Sequence, residues 1–229
     1  DMMNKKALEI GCSNTQFLNP NGIHNSNHYS TAYDLFLMAQ YGMKNETFKE
    51  LVSTSSYTLP ATNKHPLEDR ELSTTNQLIN PNNTKFYNKN IIGIKTGFTS
   101  QAGNCLVTQS SRDGLDFIAV ILGSATSDSR YEDSQKLFNY AYDNFTLTKI
   151  KEKDSLIDTV EIENATKETK NLDLLIDKGI TVINNKSINM NEIIPEINIH
   201  ENLVAPISAG QIVGTIKYRV DDIEYTANL

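Results

Sequence analysis

An Asp-Gly dipeptide between two β-like runs restricts the fold more than any other sequence feature. Asp113-Gly114 separates residues 105–109 (CLVTQ) from residues 117–122 (FIAVIL). Asp-Gly favours a two-residue hairpin turn, and a continuous apolar run is typical of a buried strand. A third run, residues 91–95 (IIGIK), precedes them. The sequence therefore predicts an antiparallel sheet of three strands here.

Helical patterns lie on both sides of these strands. Residues 3–10 have the pattern of a helix that ends at a glycine. Thr31 and Asp34 form a capping-box pattern ahead of an amphipathic segment. A serine or aspartate at 127–128 is a helix cap, and the helix that follows extends to Phe145. Together with the strands, these helices predict an α/β domain.

Short β-like runs recur after about residue 146 and predict a small all-β module that resembles a β-sandwich. They are residues 159–162, 180–183, 193–199, 211–218 and 223–226. The formal net charge is 21 − 28 = −7, with 13 basic against 14 acidic residues up to Lys149 and 8 against 14 afterwards. This step in composition predicts two domains, residues 1–147 and 148–229.

Several functional classes are disfavoured by composition. A net charge of −7 disfavours a general nucleic-acid binder, which needs a basic face. His24 and His28 are four residues apart, but Asn25 stands where a zinc protease has its glutamate. Cys12 and Cys105 form no CxxC pair. We therefore expect no metal and no nucleic-acid partner.

The tripeptide Lys95-Thr96-Gly97 carries the clearest chemical signal. It matches the third motif of serine β-lactamases and penicillin-binding proteins. A cation supports proton transfer at a nucleophile, a threonine hydroxyl binds a carboxylate, and glycine allows a close approach of substrate. The N–H of Phe98 is a candidate oxyanion donor. The tripeptide alone is a weak signal, and the alternative is a lysine on an exposed strand edge.

The surrounding segments make the signal specific. Residues 93–107 (GIKTGFTSQAGNCLV) contain the tripeptide, and Arg130 opens the helix that follows the sheet. Residues 14–22 (NTQFLNPNG), 28–35 (HYSTAYDL) and 205–215 complete the pattern. The chain resembles the D-alanyl-D-alanine carboxypeptidase family, the low-molecular-mass penicillin-binding proteins of peptidase family S11. The resemblance implies an incomplete serine-transpeptidase/β-lactamase-like α/β domain followed by a small all-β domain.

The resemblance also implies an activity, a set of partners and a location. The activity is removal of the terminal D-Ala from peptidoglycan pentapeptides through an acyl-serine, with β-lactam antibiotics as inhibitors. The location is the outer face of the bacterial cytoplasmic membrane. Lys95 is implied as a catalytic residue, and five others as substrate-binding: Thr96, Gly97, Phe98, Thr99 and Arg130. No cofactor is implied.

The chain lacks the family's nucleophile motif, Ser-x-x-Lys. The only match to the second motif, Ser-x-Asn, is Ser187-Ile188-Asn189, which follows Lys-Thr-Gly and lies within the β-module. The resemblance therefore predicts a fragment that begins after the second motif and is inactive alone. It also predicts that membrane attachment depends on a C-terminal anchoring helix outside this chain.

Two positions depart from common family members. Phe98 stands where histidine is frequent, and Thr75 where a basic residue is frequent. Arg130 is a candidate to compensate, and the alternative is a surface ion pair with Glu132 or Asp133. Three other functions stay open: a class A-like β-lactamase, a non-catalytic wall-binding or scaffold protein, and an envelope interaction domain built on the β-module. The β-module disfavours the β-lactamase, since those enzymes usually have one domain.

Overall fold

The computed structural model describes residues 1–64 and 69–229. The chain divides into two compact units, Asp1–Ala141 and Tyr142–Leu229. Four α-helices are present in the described residues: α1 (Met2–Glu9), α2 (Ala32–Gly42), α3 (Glu46–Ser53) and α4 (Ser129–Asn144). None of these helices is both long enough and apolar enough to cross a bilayer.

The first unit contains the predicted antiparallel sheet. Its strands are β3 (Lys95–Thr99), β4 (Gly103–Arg112) and β5 (Leu115–Ser124), hydrogen-bonded in that order. Asp113 and Gly114 have φ values of 55° and 80°, the two positive values that a type I′ hairpin turn requires. The hairpin prediction is therefore confirmed, with strands longer than the apolar runs indicated. Helix α2 packs against β5.

A second, smaller hairpin lies in the polar stretch between α3 and the sheet. It pairs β1 (Ser56–Leu59) with β2 (Arg70–Ser73) in antiparallel register. The length of this stretch predicts either short elements of its own or a cover for a site, and the hairpin confirms the short elements. His65–Glu68 of this stretch lie outside the described residues.

The predicted strand at residues 91–95 is wrong, because β3 begins only at Lys95. The N–H groups of Ile92 and Ile94 already donate to carbonyls of β4, but Gly93 between them has a φ of +116°. Such a φ lies outside the range of a regular strand, so the ladder starts after it. The Lys-Thr-Gly tripeptide consequently opens β3 instead of ending a strand.

The capping box predicted at the start of α2 is only half formed. The N–H of Asp34 donates to Oγ1 of Thr31 at 3.1 Å. The Asp34 carboxylate accepts instead from the N–H of Asn14 at 2.8 Å and from the hydroxyl of Thr15 at 2.6 Å. Asp34 therefore ties the start of α2 to a segment about twenty residues earlier.

The second unit is entirely β apart from one short 3₁₀ turn. Its strands are β6 (Phe145–Lys151), β7 (Leu156–Glu161), β8 (Asn171–Leu175), β9 (Ile180–Asn185), β10 (Glu196–Ile199), β11 (Gly214–Val220) and β12 (Ile223–Asn228). They form antiparallel sheets in the orders β6-β9, β7-β8 and β10-β11-β12. The all-β prediction is confirmed. Three details differ. Phe145 begins β6 instead of ending a helix, β8 is an additional strand, and residues 193–195 and 211–213 precede β10 and β11 instead of belonging to them.

The core of this unit follows from alternation along its strands. Burial alternates strictly along the first five residues of β9 and of β11, as expected of strands with one face in a core. The most deeply buried apolar residues are Leu174, Ile176, Val182, Ile216 and Val220.

Candidate active site

Strand β3 lies at an edge of its sheet. Within residues 1–64 and 69–229 it is hydrogen-bonded to β4 and to no other strand. Lys95 and Phe98 on this strand are exposed, Phe98 by 67%, whereas Thr96 is only 8% exposed. An edge strand of this kind offers backbone groups to an extended ligand that adds as a further strand.

The ammonium group of Lys95 is close to the strand itself. Its Nζ donates to the carbonyl oxygen of Thr96 at 2.7 Å. Among the described residues no carboxylate forms an ion pair with Lys95. The positive charge is therefore available at the exposed edge of the sheet.

Thr96 makes a short contact with a residue 21 positions earlier. Its Oγ1 lies 2.6 Å from Oγ1 of Thr75, which is exposed. One hydroxyl of such a pair donates and the other accepts, and either can take either role. The two residues thus place a pair of neutral hydroxyl groups at the start of β3.

Gly97 and Thr99 have different surroundings: Gly97 has room for a side chain, and Thr99 makes a hydrogen bond to the next turn. A Cβ at Gly97 would lie 3.8 Å from Cβ of Cys105, an ordinary contact, and its φ is not positive. Packing within the described residues therefore does not require a glycine at this position. Oγ1 of Thr99 accepts from the N–H of Ala102 at 3.0 Å, so it supports the turn into β4.

Arg130 lies beside β3, largely buried, with 8% of its surface exposed. Its Nη1 donates to the carbonyls of Gly97 and Cys105, both at 3.4 Å, and its Nη2 donates to Oγ of Ser127 at 3.1 Å. In the described part of the chain its Nε has no hydrogen-bond partner. The guanidinium group brings a positive charge to the backbone of β3.

The alternative surface ion pair of Arg130 does not form. Glu132 instead lies 3.7 Å from the ammonium group of Lys85, and Asp133 lies 3.2 Å from that of Lys136. Both acidic residues therefore use other cations of the first unit.

Sequence reasoning missed the contribution of Tyr131. This residue is 1% exposed, and its ring packs against Phe86 with a centroid separation of 5.0 Å. Its hydroxyl accepts from Nη2 of Arg130 at 2.9 Å and donates to the carbonyl of Thr75 at 3.0 Å. On a helix, an aromatic residue next to an arginine has the same pattern as any core aromatic, so no sequence signal indicated these bonds.

The chain immediately before β3 is held by buried polar groups. Nδ2 of Asn76 donates to the carbonyl of Gly93 at 3.0 Å, and the hydroxyl of Thr108 donates to the same oxygen. A Cβ at Gly93 would lie 2.6 Å from the carbonyl oxygen of Val52. The position of Lys95 therefore depends on Asn76 and on Gly93, which lies two residues before it.

The two cysteines and the histidine pair have structural surroundings. Cys12 and Cys105 are both free thiols, and burial raises the pKa of the Cys12 thiol. Nδ1 of His28 accepts from the N–H of Leu18 at 3.3 Å. Over residues 1–64 and 69–229, no three His, Cys, Asp or Glu side chains are grouped as a metal site requires.

Two family models match this chain. Residues 1–126 match the family model of D-alanyl-D-alanine carboxypeptidase, peptidase S11. Residues 145–226 match the model of the penicillin-binding protein 5 C-terminal domain.

Individual relatives agree with the family match. The D-alanyl-D-alanine carboxypeptidase DacF of Bacillus subtilis is 31% identical over 96% of this chain and 54% of its own length. DacA of Haemophilus influenzae is 28% identical over 96% of this chain and 53% of its own length. This chain therefore spans about half the length of these relatives.

Solved structures show the same fold. Penicillin binding protein 5 from Haemophilus influenzae is 26% identical, with a TM-score of 0.66 over 99% of this chain and 62% of that protein. The Streptomyces K15 DD-transpeptidase is 34% identical, with a TM-score of 0.54 over 62% of this chain and 52% of that enzyme. The transpeptidase-like α/β domain and the all-β domain expected from the sequence are thereby confirmed. The chain belongs to the D-alanyl-D-alanine carboxypeptidase family, peptidase S11.

Proposed function

We propose that the protein containing this chain is a serine-type D-alanyl-D-alanine carboxypeptidase that trims the terminal D-Ala from peptidoglycan pentapeptides. The observation that carries the proposal is the edge strand β3, on which the Lys95 ammonium group bonds the Thr96 carbonyl and the Thr96 hydroxyl pairs with that of Thr75. The named relatives are D-alanyl-D-alanine carboxypeptidases, which supports the same activity. In this proposal the nucleophilic serine comes from a part of the protein outside this chain.

The proposed reaction has two acyl-transfer steps. The serine Oγ attacks the carbonyl carbon of the penultimate D-Ala, the peptide C–N bond breaks, and D-alanine leaves with the serine proton on its amine. Water then attacks the resulting ester, regenerates the serine and releases the shortened peptide. Lys95 supplies a fixed positive charge that stabilises the negative charge developing during both attacks and helps order the proton-transfer network.

Substrate binding is proposed along the open edge of β3. The peptide adds as an extended strand, and Gly97 allows its backbone to come close. The Thr96 hydroxyl donates a hydrogen bond to the terminal carboxylate, and the N–H of Phe98 donates one to the developing oxyanion. Thr99 supports this edge through the turn into β4.

Arg130 has an indirect role in this proposal. Its guanidinium group donates to the backbone of β3 at Gly97 and Cys105. A buried positive charge there makes the neighbouring strand edge more favourable for an anion, because the low local dielectric weakens screening. Arg130 thus supplies a positive charge that the neutral Thr75 does not.

The remaining partners and the location follow from the same proposal. β-Lactam antibiotics acylate the same serine, and the peptidoglycan stem peptide is the natural substrate. The enzyme acts at the outer face of the bacterial cytoplasmic membrane, with any membrane attachment provided by a segment outside this chain. No role in nucleic-acid binding is proposed, consistent with the net charge of −7.

Fluorescent-penicillin labelling tests the proposal. The full-length gene product and this chain alone are incubated with the label, and covalent adducts are located by mass spectrometry. We expect one label per full-length molecule on a serine and none on this chain. A full-length protein that takes no label would favour a non-catalytic, wall-associated role.

A further inference from the structure

Hydrogen bonds to the backbone and to the side chain of Thr75 connect helix α4 to the hydroxyl of Thr96. Nη2 of Arg130 donates to the Tyr131 hydroxyl, and that hydroxyl donates to the Thr75 carbonyl, at 2.9 and 3.0 Å. Oγ1 of Thr75 then lies 2.6 Å from Oγ1 of Thr96. We propose that Thr75 and Tyr131 are positioning residues that orient the Thr96 hydroxyl as a donor to the substrate's terminal carboxylate. This inference rests on the proposed function.

Proton counting fixes the direction of the bond between the two threonines. Each hydroxyl has one proton to donate, and an ionised carboxylate only accepts. When Thr96 donates its proton to a carboxylate, its bond to Thr75 must be donated by Thr75. The order is then Thr75 to Thr96 to carboxylate, and each bond in such a series polarises the next.

The number of available protons also fixes the direction of the two bonds that the Tyr131 hydroxyl makes. An arginine nitrogen only donates, so the Tyr131 oxygen accepts from Arg130 and uses its own proton toward the Thr75 carbonyl. Tyr131 is 1% exposed and packed on Phe86, so its hydroxyl has a defined position. Tyr131 consequently fixes the backbone of Thr75, a residue that is otherwise exposed.

This arrangement determines how the terminal carboxylate of the substrate is recognised. The side chain that contacts the Thr96 hydroxyl is neutral, so the carboxylate is recognised by an oriented pair of hydroxyl groups. The guanidinium group of Arg130 contacts β3 and β4 through the carbonyls of Gly97 and Cys105. Loss of the Thr75 hydroxyl should therefore weaken recognition of the carboxylate without altering the reactivity of the nucleophile.

The test compares two reactions of the full-length gene product. The first is hydrolysis of a diacetyl-lysyl-D-Ala-D-Ala peptide, which requires the carboxylate. The second is labelling by phenylmethylsulfonyl fluoride, a neutral serine reagent that has none. For Thr75→Val we expect kcat/KM on the peptide to fall about tenfold, mainly through KM, with the labelling rate unchanged within about twofold. Thr75→Ser, which restores the hydroxyl, should recover most of the loss.

Tyrosine variants extend the test to the bond between the Tyr131 hydroxyl and the Thr75 carbonyl. Tyr131→Phe removes the bond to Thr75 and should lower kcat/KM on the peptide several-fold. Tyr225→Phe is the matched control, because its hydroxyl also bonds a backbone group, the N–H of Ile183, but in the second unit. The control should hydrolyse the peptide as the wild type does.

The outcomes separate this inference from the proposed function. A wild type that neither hydrolyses the peptide nor reacts with the sulfonyl fluoride overturns both. An active wild type with an equally active Thr75→Val variant overturns only the positioning role. Equal losses in both reactions, or a serine variant no better than the valine variant, mean that Thr75 serves the fold alone and also overturn it.

Discussion

Nδ2 of Asn76 lies 3.0 Å from the carbonyl oxygen of Gly93, two residues before Lys95. Asn76 is 2% exposed, and its Oδ1 also accepts from the N–H of Leu78. One buried amide therefore joins the loop that carries Thr75 to the segment that leads into β3. The geometry of the candidate site depends on this bond.

Replacing Asn76 by alanine should destabilise the first unit. The N–H of Leu78 would lose its partner, and the Gly93 carbonyl would keep only the Thr108 hydroxyl. A buried group left without a partner costs about 1–3 kcal/mol, so the free energy of unfolding should fall by that amount. Urea-induced unfolding measures it, with exposed Asn27→Ala as a control expected to change little. Equal stability of both variants would show that the amide bond does not hold this segment.

Gly93→Ala should be more harmful than an alanine at another glycine with positive φ. At Gly93 the new Cβ would meet the Val52 carbonyl at 2.6 Å, in addition to the strain of φ +116°. At Gly22, where φ is +76°, a Cβ would meet nothing within 4 Å. We expect Gly22→Ala to cost about 1 kcal/mol and Gly93→Ala at least about 2 kcal/mol more. Thermal unfolding of the two variants gives the comparison, and similar midpoints would contradict the close contact with α3.

The acid limb of the stability curve should depend on Asp34. Hydrogen bonds from the Thr15 hydroxyl and the Asn14 N–H hold the pKa of this carboxyl below its ordinary value, despite burial. Because the folded pKa is the lower one, its stabilising contribution is complete above the unfolded value, about 3.9. That contribution is lost as pH falls through the lower, folded pKa.

The Asp34→Asn variant should consequently show a flatter loss of stability between about pH 5 and pH 2 than the wild type does. Urea unfolding at a series of pH values gives the slopes. Asp116→Asn, at an exposed position on β5, is the control and should retain the wild-type slope. If Asp34→Asn and the wild type had the same acid slope, the hydrogen bonds to the carboxylate would not favour its charged form.

Arg130→Met should weaken the first unit and loosen β3. The substitution keeps much of the side-chain length but removes donors to the Gly97 and Cys105 carbonyls. We expect the free energy of unfolding to decrease by about 1–3 kcal/mol, with faster amide exchange along β3. Hydrogen exchange followed by mass spectrometry resolves this strand. Arg70→Met, at an exposed position on β2, should leave the exchange of β3 unchanged.

The hairpin of β4 and β5 was predictable because its signals are local. Asp113-Gly114 supplies a turn, and the apolar run at 117–122 supplies a buried strand. The start of β3 was not predictable from its own residues, since IIGIK has ordinary β-like composition. Its true start depends on Gly93, whose conformation is fixed by Asn76 and by α3.

The candidate site also combines features that the local sequence predicts with features that depend on distant residues. The Lys-Thr-Gly tripeptide was recognised from a contiguous motif, and the structure places it on an exposed edge. Tyr131 and the bond between Thr75 and Thr96 depend on residues 21 or more positions apart, which no local pattern reports. The half-formed capping box at Thr31 is a similar case, because Thr15 and Asn14 compete for the Asp34 carboxylate.

Release of D-alanine from a diacetyl-lysyl-D-Ala-D-Ala peptide tests the central claim most directly. The full-length gene product is compared with its Lys95→Met variant and with Lys89→Met, which removes an exposed lysine from the same unit. We expect the wild type and Lys89→Met to release D-alanine at equal rates, and Lys95→Met to lose roughly 100-fold or more in kcat/KM. A Lys95→Met variant as active as the wild type would show that β3 does not carry the catalytic cation.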